Sequence, residues 1–276
     1  MTETRSPGGS TEKVTPAQRR LLLILVAFHP PESHVHALHT CLAALPPEIG
    51  YAVVVNDHRV GEPVERLRAG ADRFLTSSEN LGYGRAVNWM VASLADLPQW
   101  LGALNTDLSW GPGTFETLLA WLILHPDVVL AVPEIQDPEG RPQLLCKRDP
   151  SLLALLSRRF LPRRLKPLWL RRYDARFQMA GQDFSRPVDV PYLSGCCMLI
   201  RSTAFQAVAG FDRRFFLYLE DADLSRRLRP LGRCIHLPVA AVRHHWGRGN
   251  HNSLWLTMVN IQSVWIYFSQ WGWRWW

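Results

Sequence analysis

Four short clusters in this sequence carry side chains able to do chemistry. Asn105-Thr106-Asp107 follows the apolar run Trp100–Leu104. A lone Asp there serves equally well as a turn or helix cap or as a carboxylate holding Mg²⁺ or Mn²⁺ against a diphosphate, since such hard cations take oxygen ligands and leave positions open for phosphate. Glu220, Asp221 and Asp223 place three acids in four residues at a helix start, behind the bulky run Phe215–Leu219. They could merely complement the helix dipole. Desolvation and mutual repulsion would also raise one pKa toward that of a general base. His244 and His245 lie ahead of the open stretch Gly247–Asn252; neighbouring strand residues face opposite ways, so only one of them joins a given site easily. The fourth cluster, Asn80 to Asn88 (NLGYGRAVN), lacks the spacing of a dinucleotide fingerprint. A Gly-rich approach to a helix still offers N–H groups to an anion, and Arg85 adds charge.

The elements that would carry these clusters alternate between the two periodicities. Leu21–Phe28, Tyr51–Val55, Arg73–Leu75, Trp100–Leu104 and Val128–Val132 read as strands. Helices are expected over Ser33–Leu45, Pro63–Ala69, Gly84–Leu94 and Gly113–Leu124. Alternation of this kind predicts an α/β fold with a mostly parallel central sheet and helices on both faces. Ligands of such sheets sit beyond the carboxyl ends of the strands. Here those ends carry Phe28-His29, Asn56-Asp57 and Asn105-Thr106-Asp107. Residues 136–188 are rich in Pro and Arg and show no period. Further on, Cys196–Arg201 and Cys234–Leu237 read as strands and Leu219–Leu231 as a helix.

In order, VVVNDHR, NLGYGRAVN, LNTDL, SGCCMLIR, GFDRRFFLYLEDADLSRRL and VRHHWGRG resemble the family 2 glycosyltransferases with the GT-A fold, a Rossmann-like architecture. The resemblance covers about residues 20–270 and is greatest to bacterial rhamnosyltransferase-like members that build cell-surface glycans. It implies that Asp57 contacts the nucleotide base, and that Asn80, Gly82 and Asn88 lie along the nucleotide and donor sugar. Phe28, His29, Arg85 and Asn105 complete the expected donor site. The family's paired-acid metal motif is Asn105-Thr106-Asp107 here, so only Asp107 remains to bind Mg²⁺ or Mn²⁺ and diphosphate, with His244 as the downstream ligand. Glu220 and Asp221 match the acidic pair that supplies the base, and Asp221 is the expected base. The implied reaction is inverting transfer from a nucleotide-sugar donor, dTDP-L-rhamnose ahead of a UDP-sugar, to a hydroxyl of a polysaccharide or lipid-linked glycan acceptor. A nucleotidyltransferase of related fold is the alternative, but it needs a Gly/Arg/Lys-rich phosphate loop after the first strand, where AFHPPES stands. The other alternative is a non-catalytic basic protein that binds membrane or nucleic acid.

Charge and tryptophan are distributed unevenly over the 276 residues. The net charge is +7. Residues 158–176 alone supply +7, and 23 basic residues elsewhere balance 23 acidic ones. That localisation argues against a nucleic-acid partner and favours contact with a membrane surface or a lipid diphosphate. Seven of the 12 Trp fall at 246–276. Leu254, Trp255, Met258, Ile261, Trp265 and Phe268 are expected on the core-facing side of a final helix, and WGWRWW at 271–276 is expected to reach lipid. The odd set of five Cys, without a CxxC pair, suits a reducing compartment. The chain therefore reads as a leader over 1–20, one catalytic domain over 21–252 (a nucleotide-binding half at 21–135 and an acceptor half at 136–252), and a helix with a Trp-rich tail over 253–276. The expected location is cytoplasmic, peripheral at the inner face of the plasma membrane.

Overall fold

The computed structural model describes residues 19–143, 145–245 and 254–276, and Arg163 without its side chain. The expected leader and the GRGNHN stretch fall almost wholly or wholly outside these residues.

The first half is built on wholly apolar strands. β1 (Leu21–Ala27) is LLLILVA and buried at every position, the reading expected of a parallel strand covered on both faces. It pairs in parallel with β2 (Ile49–Val55), Leu21 opposite Ile49 and Ala27 opposite Val55. On its other side lies β4 (Trp100–Asn105), also parallel, Leu21 opposite Trp100. β3 (Arg73–Thr76) adds to β2. Helices α1 (Glu32–Ala43), α2 (Tyr83–Ala92) and α3 (Thr114–Leu124) make the connections. Pro63–Leu67, expected as a short α-helix, is a 3₁₀ turn.

The second half turns the sheet mixed. β8 (Cys197–Arg201) runs antiparallel between β4 and β6 (Val128–Gln136). β9 (Arg233–His244) is far longer than the expected Cys234–Leu237 and runs parallel to β6, with a break in register where Pro133 meets Leu237 and Glu134 meets Ala241. The extra residues let its end swing over to β5 (Leu108–Trp110), which pairs Leu108 with His244. β7 (Val188–Asp189) also adds to β9.

The aperiodic stretch 136–188 contains two helices, α4 (Leu152–Phe160) and α5 (Leu168–Phe177). Ser151 caps α4, its hydroxyl accepting from the Ala154 N–H. α6 (Ser202–Ala207) and α7 (Glu220–Leu228) follow. α8 (Leu254–Trp271) packs on a second, smaller core made by Leu152, Tyr192, Phe215, Leu219, Ala222, Tyr267 and Phe268. One expectation is overturned here. The stripe Leu254, Trp255, Met258, Ile261 and Trp265 faces outward, and α8 buries Val259, Ser263, Tyr267 and Phe268 instead. The helix is apolar nearly all round, so period alone does not choose its inner side. Fixed bonds choose it: the Ser263 hydroxyl donates to Leu217 O at 2.7 Å and the Trp271 indole to Asp223 Oδ1 at 2.9 Å.

Candidate active site

Because β1, β2 and β4 are parallel, their carboxyl ends, carrying Phe28-His29, Asn56-Asp57 and Asn105-Thr106-Asp107, open on one side of the sheet. At the end of β1, His29 adopts a left-handed backbone (φ 45°), as does Asp57 after β2 (φ 51°). His29 Nε2 lies 2.9 Å from Asp57 Oδ2, and its Nδ1 contacts Glu62. The Glu62 contact raises the imidazole above its ordinary pKa, with Asp57 adding to it and burial opposing. Hydrogen bonds from His29 and Arg59 hold the Asp57 carboxyl below the usual range. Phe28 projects into solvent beside His29. An aromatic face and an acid with free acceptor capacity stand together where the parallel sheet opens.

The NLGYGRAVN segment is locked to β2 and to the loop before α7. Buried Asn56 donates to Gly82 O and accepts from the Leu81 N–H, each at 3.3 Å. Asn80 accepts from the Gly82 N–H at 2.9 Å. Gly82 has φ +79°, and a methyl there would come within 2.1 Å of Phe216 O, so only glycine fits. Asn88 grips the Phe211 backbone from both sides, donating to its O at 2.7 Å and accepting from its N–H at 2.9 Å. Arg85 Nε donates to Arg213 O at 2.7 Å. Asn88 and Arg85 thus hold the approach to α7. Asn105 ends β4, its N–H donating to Cys196 O at 3.0 Å.

Asp107 and His244 meet because β5 pairs with the tip of β9. Asp107 Oδ2 and His244 Nε2 are 3.2 Å apart. Asp107 Oδ1 and His244 Nε2 are buried without a hydrogen-bond partner; the short approach is an ion-pair distance, not an aligned hydrogen bond. Burial raises the Asp107 pKa, but His244, a backbone hydrogen bond and His34 together lower it, and the net shift is downward. Gln143 sets the ring. Its Nε2 donates to His244 O at 3.3 Å, leaving Oε1 to accept from Nδ1, also at 3.3 Å. This places the ring with Nδ1 on Gln143 and Nε2 turned toward Asp107. An orphaned carboxylate oxygen beside an orphaned imidazole nitrogen fits a divalent cation. Among the described residues no cluster of three or more His, Cys, Asp and Glu is placed to hold a metal. His245 faces the other way, its Nε2 2.8 Å from the Ser109 hydroxyl.

The acidic pair enters α7 through strained backbone. Tyr218 (φ 71°) and Leu219 (φ 62°) are consecutive left-handed residues. Such conformations cost about 1 kcal/mol or more each and persist where the surroundings over-determine them, often at functional sites. Glu220 is 6% exposed, with Oε2 unpartnered. Burial, with the Asp221 charge second, pushes its pKa to about 8. Asp221 is more open. Its Oδ2 accepts from the Gly195 N–H and its Oδ1 from the Ala222 N–H, both at 2.9 Å. Two adjacent carboxyls therefore differ: one is buried and neutral at pH 7, the other held by two backbone donors.

Several neighbours of Asp221 carry no signal in the sequence. Lys147 and Tyr192 exchange both backbone hydrogen bonds at 3.0 Å, and Lys147 Nζ lies 4.4 Å from the centre of the Tyr192 ring. Burial lowers the Lys147 pKa, partly countered by Asp221. The Tyr83 hydroxyl donates to Gly195 O at 2.7 Å and so holds the turn whose N–H holds Asp221. Lys147 and Gln143 come from the aperiodic stretch, where no local pattern marks them.

Comparison with known proteins follows the same lines. No family model matches the chain. Over 216 residues the chain is 34% identical to the N-acetylglucosaminyl-diphospho-decaprenol L-rhamnosyltransferase of Mycobacterium tuberculosis, covering 70% of this chain and 68% of that protein. Its fold is similar to that of GalNAc-T7 solved with UDP, GalNAc and Mn²⁺ (TM-score 0.59, 15% identity, 83% of this chain and 44% of that one). It is also similar to the Pyrobaculum calidifontis mannosyltransferase PcManGT with GDP-Man and Mn²⁺ (TM-score 0.55, 14% identity, 86% and 60%) and to residues 1–349 of S. aureus TarS (TM-score 0.54, 15% identity, 82% and 60%). The chain spans less than two thirds of each of these solved chains. With the fold, the ordered motifs and the rhamnosyltransferase relative in agreement, the chain belongs to the rhamnosyltransferase-like family 2 glycosyltransferases of GT-A fold and is a glycosyltransferase.

Proposed function

We propose that this enzyme transfers L-rhamnose from dTDP-L-rhamnose to a hydroxyl of a lipid-linked, diphosphate-bearing glycan at the cytoplasmic face of the membrane. The observation that carries the reading is the pairing of Asp107 with His244 at the β5–β9 tip, together with an Asp221 carboxylate held by the Gly195 and Ala222 N–H groups. One pair suits a diphosphate leaving group, the other acid an attacking hydroxyl. The similarity to a rhamnosyltransferase whose name specifies a lipid-diphosphate acceptor supports the sugar and the acceptor class.

In this reading Asp57 and Phe28 contact the nucleobase, while Asn80, Gly82 and Asn105 line the donor. Asn88 and Arg85 keep the donor loop registered against α7. Asp107 and His244 would hold a Mg²⁺ or Mn²⁺ ion, which would supply charge neutralisation at the diphosphate. Asp221 accepts the acceptor hydroxyl proton as that oxygen bonds to the anomeric carbon. The bond from that carbon to the diphosphate oxygen breaks, the electron pair leaves with the nucleoside diphosphate, and the configuration inverts. The Gly195 and Ala222 N–H groups fix the carboxylate for in-line abstraction. Glu220, neutral beside it, spares Asp221 a second negative neighbour.

The test is a transfer assay with dTDP-L-rhamnose and UDP-sugars against a short-chain lipid-diphosphate N-acetylglucosamine acceptor. Rhamnosylated product from the dTDP donor alone is expected. Turnover of a UDP-sugar, with none of the dTDP donor, would overturn the donor assignment.

A further inference from the structure

An eighteen-residue helix without a single charged side chain lies with one flank in water. Along α8, Leu254, Met258, Ile261 and Trp265 fall at helical spacing on one side and are 84%, 69%, 58% and 63% exposed. Apolar exposure of this extent along one line marks an interaction surface. No described helix is long and apolar enough to cross a membrane, so the stripe suits a surface. Nor do the undescribed segments match it: residues 1–18 are mostly polar, and 246–253 hold a single large apolar residue.

The stripe is continued by basic neighbours. Arg159 of α4 donates to Thr257 of α8 at 2.5 Å, joining the two helices. α4 adds exposed Leu156 and Phe160. α5 packs against α4 through the Ser157–Asp174 hydrogen bond (2.7 Å). It sets exposed Leu168 and Trp169 among exposed Arg171, Arg172 and Arg176. After α8 the chain folds back, with the Leu152 N–H donating to Arg274 O at 2.9 Å and the Leu153 N–H to Trp275 O at 3.0 Å. Trp273 packs between Trp265 and Phe268. Aromatic and aliphatic side chains bordered by arginines match the interface of an anionic bilayer, where indoles sit at headgroup depth and guanidiniums meet phosphate. A second copy of this chain fits less well, because a symmetric pairing would set two arginine borders against each other.

We infer that the α8 stripe, with the basic borders of α4 and α5, docks this enzyme flat on an anionic lipid surface. The inference deepens the lipid-linked acceptor reading by naming the face that meets the membrane. That face is tied to the proposed base. Trp271 and Gln270 of α8 both donate to Asp223 of α7, at 2.9 and 3.1 Å, and Trp255 stacks edge-on against Phe216. An acceptor carried by a lipid would reach Asp221 from the side on which the protein rests.

Co-sedimentation of the full chain with phosphatidylcholine vesicles, with and without phosphatidylglycerol, tests this without any sugar substrate. Wild type is expected to bind the anionic vesicles and to leave them at high salt. Met258→Asp/Ile261→Asp should weaken binding more than tenfold, and the milder Ile261→Ser measurably, with thermal melts unchanged for the milder variant. Arg171→Glu/Arg172→Glu should cost about 25-fold or more, since each basic group contributes about fivefold. No binding to anionic vesicles, equal binding by the folded variants, or a soluble dimer that the α8 variants dissociate would each overturn the inference. Vesicle binding intact with no rhamnosyl transfer would instead sink the functional reading alone.

Discussion

Asp107 and His244 are 137 positions apart in the chain and 3.2 Å apart in space, each with a buried polar atom lacking a hydrogen-bond partner. Such atoms cost stability unless something occupies the space between and around them. A divalent cation with a diphosphate would satisfy both at once. Asp107→Asn should therefore abolish Mn²⁺-dependent binding of dTDP, measured by calorimetry, while raising the melting temperature of the ligand-free protein or leaving it unchanged. Equal dTDP affinity with and without Mn²⁺ in the wild type would argue against a metal role.

Gln143 offers a finer test of the same pair. It touches no proposed ligand and acts by holding the His244 ring through Nδ1. Gln143→Ala is expected to weaken Mn²⁺ affinity by about 10- to 100-fold, the usual loss on removing such an outer partner. Gln143→Glu, which restores an acceptor at the same place, should recover most of it.

Asp221→Asn keeps shape and one oxygen acceptor but removes the proton acceptor. Transfer should fall by about 100- to 10,000-fold, the range for losing a general base, while dTDP affinity stays within about twofold. Normal turnover by this variant would move the base elsewhere in the site.

Glu220 makes a separate statement about pH. Its carboxyl has a pKa near 8 in the folded protein against an ordinary 4.5. Between those values the unfolded chain releases a proton that the native state retains, so this group lowers stability as pH rises from about 4.5 to about 8; the effect then levels off. Glu220→Gln removes that slope. In urea melts the variant should match wild type near pH 4 and exceed it at pH 8. A stability difference independent of pH would show that Glu220 is not held neutral.

The parts legible in the sequence were those encoded locally. Leu21–Ala27 has no polar residue, and α1 keeps Val35, Leu38 and Leu42 on one buried face, so period and composition suffice. The strand-end acids followed from the same logic. What the sequence hid was decided at long range. Period cannot orient α8, because nearly every position is apolar; bonds from Ser263 and Trp271 orient it. The same reason hides α4 and α5, whose apolar residues lie on their exposed as well as their buried faces. Lys147 reaches the site through its own isolated bridge to Tyr192, a pairing of residues 45 positions apart.

Gly82 and Gly113 separate a conformational cost from a mechanical one. They share a positive φ, +79° and +78°, but ψ is 177° at Gly82 and −3° at Gly113, so only Gly113 is in the left-handed helical region. Around Gly113 a new methyl would meet nothing within 4 Å; at Gly82 it would meet Phe216 O at 2.1 Å. Gly113→Ala therefore carries only the conformational cost, about 1 kcal/mol. Gly82→Ala adds a backbone clash in an extended, positive-φ conformation essentially confined to glycine, for a total of about 3 kcal/mol or more. Phe216 precedes the strained pair Tyr218-Leu219, so the displacement travels into Glu220 and Asp221. Denaturant melts should rank the variants in that order, and Gly82→Ala should also lose transfer well beyond its lost stability, measured at a temperature where it remains folded. Equal effects of the two substitutions would show that the donor loop and the base loop are not mechanically joined.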